Sequence, residues 1–244
     1  MPSSAPIRFE NVDFNIDGAP ILRGLSMEVR RGETLVLLGR SGSGKTTALR
    51  LINRLIDPSQ GAVLVDGKPT IGWDSVALRR SIGYVIQHIG LFPHFTVARN
   101  VGLVPTLEGR DAEWVAERVR SLLILVGLDP DAVSHRRPSE LSGGQQQRVG
   151  VARALAADPP ILLMDEPFAS LDPITRRRLQ TELAELKTQL GKTTVFVTHD
   201  VREALLLADR IAFLDGGRLV WLGDREEFQT CDHDRVRDFR EAPE

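Results

Sequence analysis

Residues Thr34 to Thr47 read TLVLLGRSGSGKTT. The run TLVLL has no polar alternation, which suits a strand buried on both faces of a parallel sheet. It stops at Gly39, and GRSGSGKT follows the spacing G-x-x-x-x-G-K-[S/T]. A helix is predicted over Thr46 to Leu55, so the pattern lies between a strand and a helix. Glycines there let the backbone curl until successive N–H groups face phosphate oxygens. The start of the helix adds positive partial charge. The expected phosphate contacts are Gly39, Arg40, Ser41, Gly42, Ser43, Gly44, Lys45, Thr46 and Thr47. Lys45 would reach the outer phosphates, and the Thr46 hydroxyl would ligate a magnesium ion. The competing reading is a glycine-rich turn that binds nothing; the complete motif between strand and helix argues against it.

Two further apolar runs lie downstream, Ile161 to Met164 and Val195 to Val197. The first runs into Asp165 and Glu166. An acid at the end of a buried strand is where a metal-binding aspartate belongs, and a second acid beside it can polarise a water. Ligands of open α/β sheets bind at the carboxyl ends of strands, where these three runs would converge.

Other punctuation is legible. Alternation of Ile7 and Phe9 with polar neighbours predicts strands in the first thirty residues, with a turn at Gly18 and Pro20. Asp172 is a candidate N-cap with Pro173 at the first helical position, followed by Leu179, Leu183, Leu186 and Leu190 on one face. Trp114, Val115, Val119, Leu122, Leu123 and Val126 form a second amphipathic stretch. Asp200 could cap a helix carrying Ala204, Leu205 and Ala208. IAFLDGGRLVWL predicts a hairpin turning on Gly216 and Gly217. Residues 88–159 carry helical patterns without a convincing buried strand.

The composition sets bounds. The 244 residues are 42% hydrophobic and 26% charged, which excludes disordered and fibrous classes. Lys and Arg total 31 against 33 acids, so no basic excess favours a nucleic-acid backbone. The single cysteine, Cys231, has no internal disulfide partner, which points to a reducing compartment. Apolar runs fall far short of the roughly 20 residues a membrane helix needs. MPSSAPIRFE lacks a signal-peptide pattern. The chain is expected to be cytoplasmic and to reach a membrane only through a partner.

LSGGQQQR, Leu141 to Arg148, completes the set. With the glycine-rich loop it resembles the ATP-binding subunit of an ABC transporter, along essentially the whole chain. The resemblance implies an α/β fold: a P-loop NTPase (RecA-like) core, an N-terminal antiparallel β subdomain and an inserted α-helical subdomain. The expected boundaries are 1–87 and 160–223 for the core, 88–159 for the helical lobe, and 224–244 for a peripheral tail. By position, Gln87 matches the glutamine that senses Mg²⁺ and the γ-phosphate. Asp165 matches the metal ligand and Glu166 the general base. Ser142, Gly143, Gly144 and Gln145 match the signature, Asp172 in SLD the D-loop aspartate, and His199 in THD the switch histidine. Lys45, Gln87, Glu166 and His199 would be the catalytic set, with ATP and Mg²⁺ as cofactors. Ile16 stands where the family usually stacks an aromatic residue on adenine, with Phe14 two residues earlier.

Ser142 and its glycines sit at a predicted helix start and offer a hydroxyl, backbone N–H groups and a positive helix end to an anion. The resemblance implies a head-to-tail pair of cassettes, identical or related, with each ATP between one P-loop and the partner's signature. It also implies a permease contact beyond Gln87. There HIGLFPHFTVARNV supplies Ile89, Leu91, Phe92, Phe95 and Val97; these side chains are core or docking surface, and Leu91 to Phe95 are expected to line the contact. RRSIGYVIQHIGLFPHFTVARNVGLVP is similar to importers of quaternary amines such as glycine betaine, choline and carnitine, working with a substrate-binding protein. Several such importers add a regulatory C-terminal domain; with the sequence ending at Glu244, none is expected here. The alternatives are an amino-acid or other small-solute importer and, in a different class, a soluble ABC ATPase of repair or translation. Against the latter, no long coiled coil or second cassette is present.

Overall fold

The computed structural model describes residues 5–87, 90–169 and 171–242. The chain forms two compact units, residues 1–79 with 183–244, and residues 80–182.

The first unit opens with β1 (Ile7–Ile16) and β2 (Ala19–Val29), paired antiparallel. Asp17 and Gly18, at φ 50° and 81°, form the two-residue loop between the pair Ile16 and Ala19. Two positive φ values are what a tight hairpin demands. Pro20, expected in the turn, lies instead in β2 opposite Asn15. β2 is an outer strand, where a missing N–H is tolerated. β3 (Thr34–Leu38) is buried at all five positions, as its pattern requires. α1 (Lys45–Ile52) is shorter than the expected helix to Leu55. Asn53 caps it and Arg54 turns to φ 51°, a stop that no glycine or proline announces. β4 (Gln60–Val65) and β5 (Lys68–Pro69) complete a four-stranded sheet in the order β2-β1-β4-β5. α2 (Ser75–Arg80) follows.

In the second unit, β6 (Ile82–Val85) pairs in parallel with β7 (Ile161–Asp165). Between them come α3 (Val97–Val101), α4 (Leu103–Leu107), α5 (Ala112–Leu125), α6 (Pro130–Val133) and α7 (Gly143–Leu155). Among the described residues this stretch holds no strand, in line with its sequence pattern. Val119, Leu122 and Leu123 bury one face of α5, and Asp111 caps its start through the Trp114 amide at 2.8 Å. α8 (Pro173–Leu190) begins here. Asp172 accepts the Ile174 and Thr175 amides at 3.1 and 3.0 Å, the expected cap.

The chain returns to the first unit with β8 (Thr193–Thr198), α9 (Val201–Leu207), β9 (Arg210–Asp215) and β10 (Arg218–Asp224). β3 lies between β8 and β9, parallel to both, and β10 folds back on β9 through Gly216 and Gly217, the expected hairpin. At the start of β9 Arg210 Nη1 pairs with Glu33 Oε1 at 3.2 Å, both side chains nearly buried. The last segment is more ordered than a peripheral tail. α10 (Arg225–Thr230) and α11 (Asp234–Glu241) bury Phe228 and Val236 completely. Their apolar residues are few and scattered among charges, which hid the packing face in the sequence.

Candidate functional site

The glycine-rich loop is built on the carboxyl end of β3. A Cβ at Gly39 would lie 2.1 Å from the Leu214 carbonyl oxygen, and one at Gly44 would lie 2.5 Å from Leu22 Cδ2. These two glycines are therefore demanded by close approach. Gly42 is open and needs only its positive φ of 79°. Arg40, Ser41 and Gly42 are exposed, while Gly39, Ser43, Gly44 and Lys45 are buried. The Lys45 side chain curls over the loop, its ammonium donating to the Gly39 and Arg40 carbonyls at 2.7 and 2.9 Å. Gly44 stands at the N-cap of α1 and, having no side chain, offers no acceptor of its own to the first turn of the helix. The buried Ser43 hydroxyl has no hydrogen-bond partner among the described residues. Curled amides, a fixed ammonium and a buried hydroxyl form a donor set that fits a polyphosphate.

β8 places a second group at the same end of this sheet. Leu38 and Thr198 are register partners, so Gly39 and His199 leave adjacent parallel strands together. His199 is exposed. Asp200 caps α9 through the amides of Arg202 and Glu203 at 2.6 and 3.3 Å. Ile16, at the tip of the first hairpin, is 51% exposed and available to cover a flat ligand; Phe14 is half-buried.

The second unit gathers its own set. Val85 is opposite Met164, so Gln87 and the pair Asp165–Glu166 emerge from neighbouring strand ends. Asp165 is buried and accepts from the Tyr84 hydroxyl at 3.5 Å. Glu166 takes φ 43°, a left-handed conformation that costs a non-glycine residue about 1–3 kcal/mol. No cluster of three or more His, Cys, Asp or Glu suited to a metal occurs among the described residues. The Asp165 carboxylate is the kind of hard oxygen donor that a magnesium ion takes while keeping water and phosphate ligands.

α7 starts with a capping box. The Ser142 hydroxyl accepts the Gln145 amide at 3.3 Å, and the Gln145 side chain accepts the Ser142 amide at 2.9 Å. The amides of Gly143 and Gly144 are then the first two of a thirteen-residue helix, outside its internal ladder. A Cβ at Gly144 would meet Thr175 Cγ2 at 2.8 Å. Asp172 is exposed, and its hydrogen bonds with Thr175 hold its carboxyl below the usual range.

A family profile described as ABC transporter matches residues 22–169, which takes in the glycine-rich loop, LSGGQ and the paired acids. The chain belongs to the ABC transporter family. It is 52% identical, over 86% of its length, to the glycine betaine/carnitine/choline transport ATP-binding protein OpuCA of Bacillus subtilis, covering 55% of that protein. It is 45% identical, over 96% of its length, to the glycine betaine uptake system ATP-binding protein YehX of Escherichia coli, covering 76%. The chain spans just over half the length of the first curated relatives it matches, 55%, 58% and 53%. The dimeric post-hydrolysis structure of the ATP-binding cassette MJ0796 bound to ADP and Pi superposes with a TM-score of 0.79 at 34% identity, covering 90% of this chain and 98% of that one. The ABC transporter fold expected from the sequence is therefore the fold observed. No helix of the described residues is long and apolar enough to cross a membrane.

Around the ABC transporter motifs stand residues that the sequence did not single out. Asn100, fully buried, clasps the loop after Gln87. It accepts the Phe92 amide at 2.8 Å and donates to the carbonyls of Phe92, Phe95 and Thr96 at 3.2, 3.3 and 3.0 Å. Arg153, on α7, donates to the Gly90 carbonyl at 2.7 Å. The clasp holds Phe92, His94 and Phe95 in one aromatic cluster, with Phe92 40% exposed. Val97 is buried in the core; Ile89 lies outside the described residues. An asparagine at the fourth position of a short helix carries no sequence signal of such a role.

Proposed function

We propose that the chain binds and hydrolyses MgATP and that this hydrolysis drives import of a quaternary amine such as glycine betaine through a membrane permease. The observation that carries the nucleotide reading is the cradle on β3: Lys45 held across curled backbone, a glycine at the N-cap of α1, and close approach at Gly39 and Gly44 that admits no side chain. Lys45 binds the outer phosphates. Thr46 and Asp165, with Gln87, would hold Mg²⁺, which when bound neutralises phosphate charge. Glu166 takes a proton from the attacking water, and His199 steadies the terminal phosphate as the bond to it breaks. Ile16 covers the base without aromatic stacking.

The signature Ser142, Gly143, Gly144 and Gln145, with Asp172, serves the ATP of a partner cassette in a head-to-tail pair. The dimeric state of the MJ0796 cassette bound to ADP and Pi supports pairing. The names of OpuCA and YehX support the cargo class. The partially exposed aromatic cluster of Phe92 and Phe95, stiffened by Asn100, supports Leu91 to Phe95 as the permease contact. The chain then sits at the cytoplasmic face of the membrane as a peripheral subunit, and a substrate-binding protein delivers the solute. We also propose that residues 88–159 act as the lobe that carries signature and permease contact, with 1–87 and 160–223 as the nucleotide core.

Uptake by the reconstituted complex tests this. Vesicles holding the chain with its permease and internal ATP should accumulate labelled glycine betaine, and complex made with Lys45→Ala should not. Uptake of an amino acid or sulfate instead would replace the cargo assignment. ATP-independent accumulation would overturn the energising role.

A further inference from the structure

We propose that Thr198 and Glu203 are positioning residues for His199. The proposal rests on the reading of His199 as a group that acts on the terminal phosphate. Glu203 belongs to the first turns of α9, where a glutamate ordinarily points to solvent. Here it is turned inward and only 5% exposed. Burying a carboxylate is costly unless hydrogen bonds compensate. One bond comes from the Thr198 hydroxyl, which donates to Glu203 Oε2 at 2.5 Å.

Thr198 is itself 2% exposed and is the last residue of β8. Its hydroxyl has one proton, which goes to Glu203. Its oxygen accepts the Asp200 amide at 3.0 Å. Asp200 in turn accepts the amides of Arg202 and Glu203. The residues before and after His199 are thus tied to each other and to α9. A helix cap alone needs only the Asp200 carboxylate. The added link from Glu203 to Thr198 reaches back across the turn and fixes the direction in which the chain leaves β8 at His199. Leu38, opposite Thr198, precedes the phosphate loop, so a shift of this turn moves His199 relative to Gly39. Misplacement of a reacting group by about 1 Å can slow a reaction about a hundredfold.

The test is a double-mutant cycle on MgATP hydrolysis by the full chain. Thr198→Val keeps the shape and removes the hydroxyl; Glu203→Met removes the acceptor. Each should lower kcat about tenfold with KM for ATP within about twofold. Thr198→Ser and Glu203→Gln keep a hydroxyl and an acceptor and should restore kcat to within about twofold of the parent. In a His199→Ala background, Thr198→Val should change the residual rate by less than about twofold. Losses that multiply, or a KM that rises in step with the fall in kcat, would overturn the proposal. A His199→Ala chain with the full rate would overturn the reading of His199 first and the proposal with it. If Thr198→Val does not fold, the contrast between Glu203→Met and Glu203→Gln decides the matter; equal rates in those two would refute it.

Discussion

Alanine substitutions at the three loop glycines should separate conformational cost from steric cost. Gly42 has φ 79° and nothing within 4 Å of a built Cβ. Gly42→Ala therefore costs only the left-handed backbone term, about 1–2 kcal/mol. For a chain of this size that lowers Tm by roughly 2–8 °C. Gly44 has φ 99°, and its Cβ would lie 2.5 Å from Leu22 Cδ2 and 3.2 Å from the Ile21 carbonyl. Leu22 is fully buried, and its side chain has to shift within a filled core. Overpacking adds about 1–3 kcal/mol, so Gly44→Ala should cost about 2–5 kcal/mol. Gly39 is the severe case, because a Cβ there would lie 2.1 Å from a backbone oxygen of β9 and 2.9 Å from Ser43 Oγ. A strand cannot rotate away as a leucine can, so Gly39→Ala should destabilise most. Thermal unfolding followed by circular dichroism reads the order directly, Gly42→Ala above Gly44→Ala above Gly39→Ala. Melting of Gly39→Ala within about 2 °C of Gly42→Ala would refute the steric argument.

Arg210→Met strands the Glu33 carboxylate, which also accepts the Arg30 amide at 2.6 Å. It should cost about 3–5 kcal/mol in denaturant unfolding, and adding Glu33→Gln should recover part of the loss. Asp172 titrates below an ordinary aspartate because the folded state hydrogen-bonds its charged form. Its contribution is present above the unfolded value near 4 and is lost as pH falls through the lower folded value. Protection of the Ile174 and Thr175 amides, measured relative to their intrinsic exchange rate at each pH, should therefore persist at pH 5 and fall only well below pH 4; loss of protection already at pH 5 would contradict the cap.

Signals that combine residue type with backbone demand were readable. TLVLL, GRSGSGKT, the Asp172–Pro173 start and the Gly216–Gly217 hairpin each name a conformation few other residues adopt. β6 was not readable, because IGYV is four residues long and includes Gly83, whose place is set by the Ala154 carbonyl 2.4 Å from a built Cβ. The end of α1 at Asn53 and Arg54 is a tertiary choice that overrides local propensity. Asn100 and Glu203 were missed for a related reason. Both look like ordinary helix residues, and only burial shows that their polar groups serve neighbouring loops. Motif positions gave the identity of the Asp165–Glu166 pair, but not the left-handed backbone at Glu166.

In the proposed cycle two copies close on ATP, and Glu166 activates the water that ends the closed state. Glu166→Gln keeps the shape of the side chain and removes the base. Sedimentation velocity of that variant should give a stable dimer in ATP and a monomer in ADP. A chain that stays monomeric with ATP bound would contradict the account.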